Sequence, residues 1–193
     1  MSDAAQHTGG TVGKVLWHVT LSLDGFIAGP DDAMDWIFGY AGPNETVDEV
    51  IRMTGALLAG RRCYDIGRRE GQPPQARKPY GGAWTGPQFV LTHHVPDRED
   101  DPNIIFISEE VSHAVPRALA AAGGKNVGVL GANIARQCLE AGLIDDILVH
   151  LAPVLLGDGV RLFAQPGAVP IKLEPIGVTQ AGPITNLRFR VVK

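Results

Sequence analysis

Apolar residues in this chain fall into short runs punctuated by turn residues. Lys14 to Leu23 (KVLWHVTLSL) is rich in β-branched and apolar side chains and stops at Asp24-Gly25, which predicts a strand closed by a turn. Gly29-Pro30-Asp31-Asp32 predicts a second turn. Thr46-Val47-Asp48-Glu49 has the spacing of a capping box and predicts a short helix to about Thr54. Ala56 to Ala59 reads as a strand and Arg61 to Arg69 as a helix. Gln88 to Thr92, Ile104 to Ile107 and Val127 to Leu130 are further strands. His113 to Ala122 is an alanine-rich helix with Pro116 near its start and Gly123-Gly124 stopping it. Ile134 to Ala141 places Ile134, Cys138 and Leu139 on one side of a helix that ends at Gly142. Asp146 to Leu156 reads as a long strand whose Pro153 marks an edge or a bulge. Ile171 to Thr179 and Ile184 to Val192 alternate about Ala181-Gly182-Pro183, a hairpin signal.

Strands alternate with helices to about residue 150, and a hairpin follows. The pattern predicts an α/β fold: a mostly parallel central sheet with helices on both faces and an antiparallel C-terminal hairpin. Gly71 to Pro87, dense in proline and glycine, reads as a loop rather than a linker, because its flanking strands are too short to stand alone. The expected organisation is a disordered leader over residues 1–12 and one domain over 13–193.

Composition narrows the function classes. The 193 residues are 45% hydrophobic and 20% charged, ordinary for a globular protein. A net charge of −4 implies no general affinity for polyanions, so nucleic acid is not an expected partner. No apolar stretch reaches membrane-spanning length, and the first residues lack the pattern of a secretory signal. Cys63 and Cys138 have no metal-ligand spacing, which predicts reduced thiols, a cytoplasmic location and no bound metal.

Two junctions carry candidate chemistry. Leu57-Leu58-Ala59-Gly60-Arg61-Arg62-Cys63-Tyr64 runs from an apolar strand through glycine into a helix with two arginines. Val127-Gly128-Val129-Leu130-Gly131-Ala132-Asn133 repeats the strand–glycine–helix theme. Unpaired amides at a helix start suit phosphate, and guanidinium forks match its oxygens. Two such junctions at strand carboxyl ends suggest a phosphate-rich ligand such as a dinucleotide.

An ordered set of segments adds a family resemblance: Val19-Thr20-Leu21-Ser22-Leu23-Asp24-Gly25-Phe26-Ile27-Ala28, Leu58-Ala59-Gly60-Arg61-Arg62, Phe89-Val90-Leu91-Thr92, Val129-Leu130-Gly131, Ala141 to Asp146, Ala152 to Gly159, and Arg161-Leu162-Phe163. Together they resemble the dihydrofolate-reductase-like superfamily. The nearest branch is the C-terminal reductase domain of the bifunctional deaminase/reductase of riboflavin biosynthesis. The resemblance runs from about Lys14 to Val192, and no zinc-deaminase signature accompanies it.

The resemblance implies NADPH as hydride donor. It assigns Gly60, Arg61 and Arg62 to the cofactor phosphates, and Leu91, Thr92 and His93 to the adenosine and its 2′-phosphate. Gly131, Ala132, Asn133 and Ile134 go to the pyrophosphate, and Thr20, Ile27 and Ala28 to the nicotinamide. It also implies a homodimer, paired through a sheet edge for which the strand containing Val149 to Leu156 is the expected candidate. The nearest activity is 5-amino-6-(5-phosphoribosylamino)uracil reduction. A pteridine or dihydrofolate reductase and a non-catalytic NADP(H)-binding protein are the alternatives.

Three departures bear on the substrate. Ala132 replaces the second glycine of the family's pair, and Leu130 stands where the riboflavin enzymes carry an acid. Ile37 to Ala41 lacks the helix acid of folate reductases. Asp35 is the candidate proton donor, and Asp24, Asp35 and Trp36 are candidate substrate contacts; Asp24 also suits a plain turn role. Glu45 and Asp48 fit a helix start, and His18 and His150 fit satisfied sheet histidines.

Overall fold

The computed structural model describes residues 13–70, 77–164, 166–167 and 169–193. The leader at 1–12 and the first part of the Gly71 to Pro87 loop lie outside the described residues. An eight-stranded sheet in the order β5 (Ile104–Ile107), β4 (Gln88–Leu91), β3 (Thr54–Gly60), β6 (Asn126–Leu130), β1 (Val15–Ser22), β7 (Asp146–Ala152), β10 (Ile184–Val191), β9 (Leu173–Ala181) forms the frame.

β1 (Val15–Ser22) shows how the frame forms. Successive side chains of a strand point to opposite faces. Val15 and Trp17 enter a core with α3 (Val111–Ala121) and α4 (Ala132–Glu140), while Leu16 packs with Val50 of α1 (Glu45–Met53) on the other face. Helices therefore cover both faces. β3 (Thr54–Gly60), β4 (Gln88–Leu91), β5 (Ile104–Ile107), β6 (Asn126–Leu130) and β7 (Asp146–Ala152) all run parallel to β1. β10 (Ile184–Val191) runs antiparallel to β7, and β9 (Leu173–Ala181) antiparallel to β10. The expected architecture is the observed one. A two-stranded ribbon, β2 (Phe26–Ala28) with β8 (Val160–Arg161), was not legible in the sequence.

Several expectations need correction. Asn44, not Thr46, caps α1: its side-chain oxygen accepts from the Thr46 amide at 3.1 Å. Asparagine offers an acceptor two residues ahead of that amide, so the helix starts earlier. α2 spans only Arg61–Ile66, and Pro116 lies well inside α3. β7 ends at Ala152, before Pro153, and it is no edge: β1 and β10 flank it on its two sides. Its five leading residues are buried, as expected of an interior strand. The sheet edges are β5 and β9.

Candidate functional site

β4, β3, β6 and β1 are neighbours and all parallel, so their carboxyl ends lie side by side. A cavity of about 920 Å³ opens there. Such crevices are the usual ligand positions of open α/β sheets.

Two glycine junctions form its middle. Gly60 ends β3 and leads into α2; a Cβ there would stand 3.0 Å from Cγ1 of Ile134, so glycine lets β3 and α4 approach closely. Gly131 joins β6 to α4 with φ +88, a left-handed value that favours glycine, and a Cβ would fall 2.6 Å from the Cys63 sulfur. Ala132 is the first residue of α4 and is not among the positive-φ residues. Only the first member of the family's glycine pair carries the conformational demand, so alanine is accommodated at the second. The first backbone bond into α4 is Ala135 N–H to Gly131 O at 3.1 Å. The amides of Ala132, Asn133 and Ile134 have no acceptor within the helix.

The two arginines part company. Arg61 donates from Nη1 to the His94 carbonyl and from Nε to Asp65 at 2.7 Å, so it lies against the end of β4. Thr92 Oγ1 also donates to the His94 carbonyl, at 2.9 Å, and fixes that turn. Arg62 turns the other way and pairs with Asp32 at 2.7 Å; Arg69 reaches the same carboxylate at 2.6 Å. Asp32 is 5% exposed and, with Asp31, takes a left-handed backbone (φ +63 and +55). Burial alone would raise its pKa, but the hydrogen bonds from Arg62 and Arg69 win and hold it below the usual carboxylate range.

The structure brings Thr20, Ile27, Ala28, Gly60, Arg61, Arg62, Leu91, Thr92, His93, Gly131, Ala132, Asn133 and Ile134 into the wall of this one cavity. Asp24, Asp35 and Trp36 are not in that wall. Asp24 accepts from the Ser22 hydroxyl at 2.7 Å and from the Leu156 and Gly157 amides at 3.0 and 2.7 Å. These bonds, the Ser22 one foremost, lower its pKa to about 2. The carboxylate ties β1 to the turn after β7. Asp35 is exposed on a 3-10 turn (Asp35–Tyr40), and the Trp36 ring N–H is buried without a partner. Their neighbours Met34 and Ile37 line the cavity instead. So do Val160, Arg161, Leu162 and Phe163, which the Arg161-Leu162-Phe163 segment could have signalled.

His18 also lines the cavity, one strand step below Thr20 on the same face of β1. Its Nε2 meets His150 Nε2 at 2.5 Å, its Nδ1 meets the Tyr80 hydroxyl at 3.1 Å, and His150 Nδ1 meets Asn186 Oδ1 at 2.5 Å. Asn186 donates from its amide nitrogen to Thr179 Oγ1 at 3.0 Å, so its oxygen must accept from His150 Nδ1–H. His150 Nε2 then accepts from His18 Nε2–H, and His18 Nδ1 accepts from Tyr80. Burial disfavours a second proton on either ring. Burial, then the neighbouring His150 and Arg188, lower the His18 pKa to about 3; burial foremost lowers that of His150.

This is a doubly covered α/β sheet with a cofactor-sized crevice at its strand ends, the layout of a reductase domain. The chain belongs to the RibD C-terminal domain family, whose pattern matches residues 13–187. It is 26% identical over 178 residues to YwjB, an uncharacterized Bacillus subtilis protein, covering 91% of this chain and 97% of that one. It is 30% identical over 169 residues to the riboflavin biosynthesis protein RibD of Corynebacterium ammoniagenes, covering 77% of this chain but 47% of RibD. A crystal structure from Shewanella sp. PV-4, of a protein named for riboflavin biosynthesis, superposes with a TM-score of 0.75 at 20% identity, covering 93% of this chain and 99% of that one.

Proposed function

We propose that this protein is an NADPH-dependent reductase of a small heterocyclic substrate, similar in activity to 5-amino-6-(5-phosphoribosylamino)uracil reductase. One observation carries the reading: the residues assigned to NADPH by family resemblance, scattered from Thr20 to Ile134, share one cavity wall. The donor set suits the cofactor. Gly131 leaves room at the start of α4, and the free amides of Ala132, Asn133 and Ile134 suit a pyrophosphate. Arg61, Thr92 and His93 suit the 2′-phosphate, because Arg61 is held at the end of β4 by Asp65 and the His94 carbonyl through Nε and Nη1, whereas Arg62 turns away to Asp32.

Bound in this orientation, NADPH would supply a hydride. Thr20, Ile27 and Ala28 would hold the flat nicotinamide, and Met34, Ile37 and Phe163 would exclude water from the reacting face. Asp35, outside the wall, has no part in proton transfer on this reading. We further propose a cytoplasmic homodimer. Its interface would be the exposed edge β9, with Leu173, Ile176 and Val178, and light scattering on the purified protein tests it.

Titration with NADPH and NADH by nicotinamide fluorescence tests the cofactor. NADPH should bind more tightly. Arg61→Ala should erase about ten- to a hundredfold of that preference, while Arg62→Ala leaves the ratio near wild type. A protein that binds neither nucleotide overturns the reading.

A further inference from the structure

We propose that Arg161 selects the substrate, and that the molecule reduced in this cavity is a small organic anion: an apolar, planar body with an acidic group that meets the Arg161 guanidinium. The inference rests on the reductase reading and narrows its substrate class.

Arg161 lies on β8, directly opposite Phe26 of β2, at the end of the cavity away from the β4 turn. Its guanidinium carbon lies 4.6 Å from the centroid of the Phe26 ring. One of its terminal nitrogens passes 4.0 Å from where a Cβ on Gly25 would stand. The fork rests on an aromatic face rather than on an acid, and Arg161 is exposed at the rim of the cavity. A stacked guanidinium keeps its in-plane N–H donors available.

The charges around it isolate Arg161. Four arginines line the cavity. Arg61 pairs with Asp65, Arg62 with Asp32 and Arg136 with Glu140. Among the described residues Arg161 forms no ion pair. The nearby turn acid, Asp24, has both oxygens occupied by Ser22, Leu156 and Gly157. Asp32, the carboxylate in this part of the wall, is already matched by Arg62 and Arg69. This end of the cavity therefore presents an exposed positive charge that no protein carboxylate pairs with among the described residues. Its remaining surface comes largely from Ile27, Ala28, Met34, Ile37, Leu162 and Phe163. An apolar body fits that wall, and its acidic group accounts for the one unpaired donor fork.

The test uses terephthalaldehydic acid and its methyl ester, which share one ring and aldehyde and differ in whether the carboxyl group carries a charge or a methyl cap. Each is titrated by calorimetry into wild type, Arg161→Leu and Arg161→Lys, with and without NADP⁺. Wild type should bind the acid at least about tenfold more tightly than the ester, as expected for a charge-assisted forked contact. Arg161→Leu should bring the two affinities together, and Arg161→Lys should keep part of the preference. Added salt should weaken the acid alone. Equal preference in wild type and Arg161→Leu, or binding of neither compound, overturns the inference. NADPH affinity, measured on the same three proteins, should not change. Absence of NADPH binding in wild type would overturn the cofactor reading; NADPH binding without preference for the acid overturns the role of Arg161 alone.

Discussion

Acidification should loosen this fold through His18. In the native chain its pKa is about 3, because the ring is buried between Tyr80 and His150, with Arg188 of β10 near enough to oppose a positive charge and Glu49 of α1 already paired with Arg188. In the unfolded chain it returns to about 6.5. The unfolded state therefore binds the extra proton, and stability falls as pH drops through 6.5 towards 3. Between pH 7 and pH 5 the loss from this one group is about 2 kcal/mol. That figure barely changes for any native pKa below about 4.5, since the native ring stays mostly uncharged at pH 5. His150, shifted in the same direction, adds to the loss. Urea unfolding of wild type and His18→Gln at the two pH values measures it. The substitution itself costs stability at both values, so the pH difference within each protein is the quantity compared. Wild type should lose about 2 kcal/mol more than the variant on going from pH 7 to pH 5. Equal losses would refute the uncharged histidine chain.

Other outcomes follow from the site. Gly131→Ala should destabilise by at least about 1–2 kcal/mol in thermal or urea unfolding, because the left-handed backbone is costly for alanine and Cys63 occupies the space its methyl needs. The same variant should lose nucleotide affinity in a fluorescence titration. Asp32→Ala should cost about 1–3 kcal/mol, because it removes the carboxylate that joins Arg62 and Arg69; urea midpoints report it. Leu58→Ala, in a fully buried position between the helices and the sheet, should cost about 2–5 kcal/mol by the same measurement.

The sequence made the parallel sheet legible because its strands are short apolar runs, two of them ended by glycine. Ile104 to Ile107 has the expected bounds, and Gly60 and Gly131 mark the two junctions at the cavity. What it concealed depends on contacts between distant residues. The ribbon of Phe26–Ala28 with Val160–Arg161 has too few residues for periodicity to register, yet both of its strands line the cavity. Nothing local separates Arg61 from Arg62; a buried Asp32 some thirty positions earlier does so. Asp24 looked like a candidate contact because its bonds to Leu156 and Gly157 span more than 130 positions. Pro153 suggested an edge within a long strand, whereas β7 simply stops before it and β10 pairs along its other side.

The position of β1 has a consequence for synthesis. It sits between β6 and β7, with Val15 opposite Val127 and Trp17 opposite Ile147. As the chain leaves the ribosome, the apolar Val15-Leu16-Trp17 stretch must wait for partners more than a hundred residues behind it. Such distant pairing makes folding slow and leaves a sticky segment unshielded throughout translation. A nascent chain stalled before β6 would be a natural client for a chaperone.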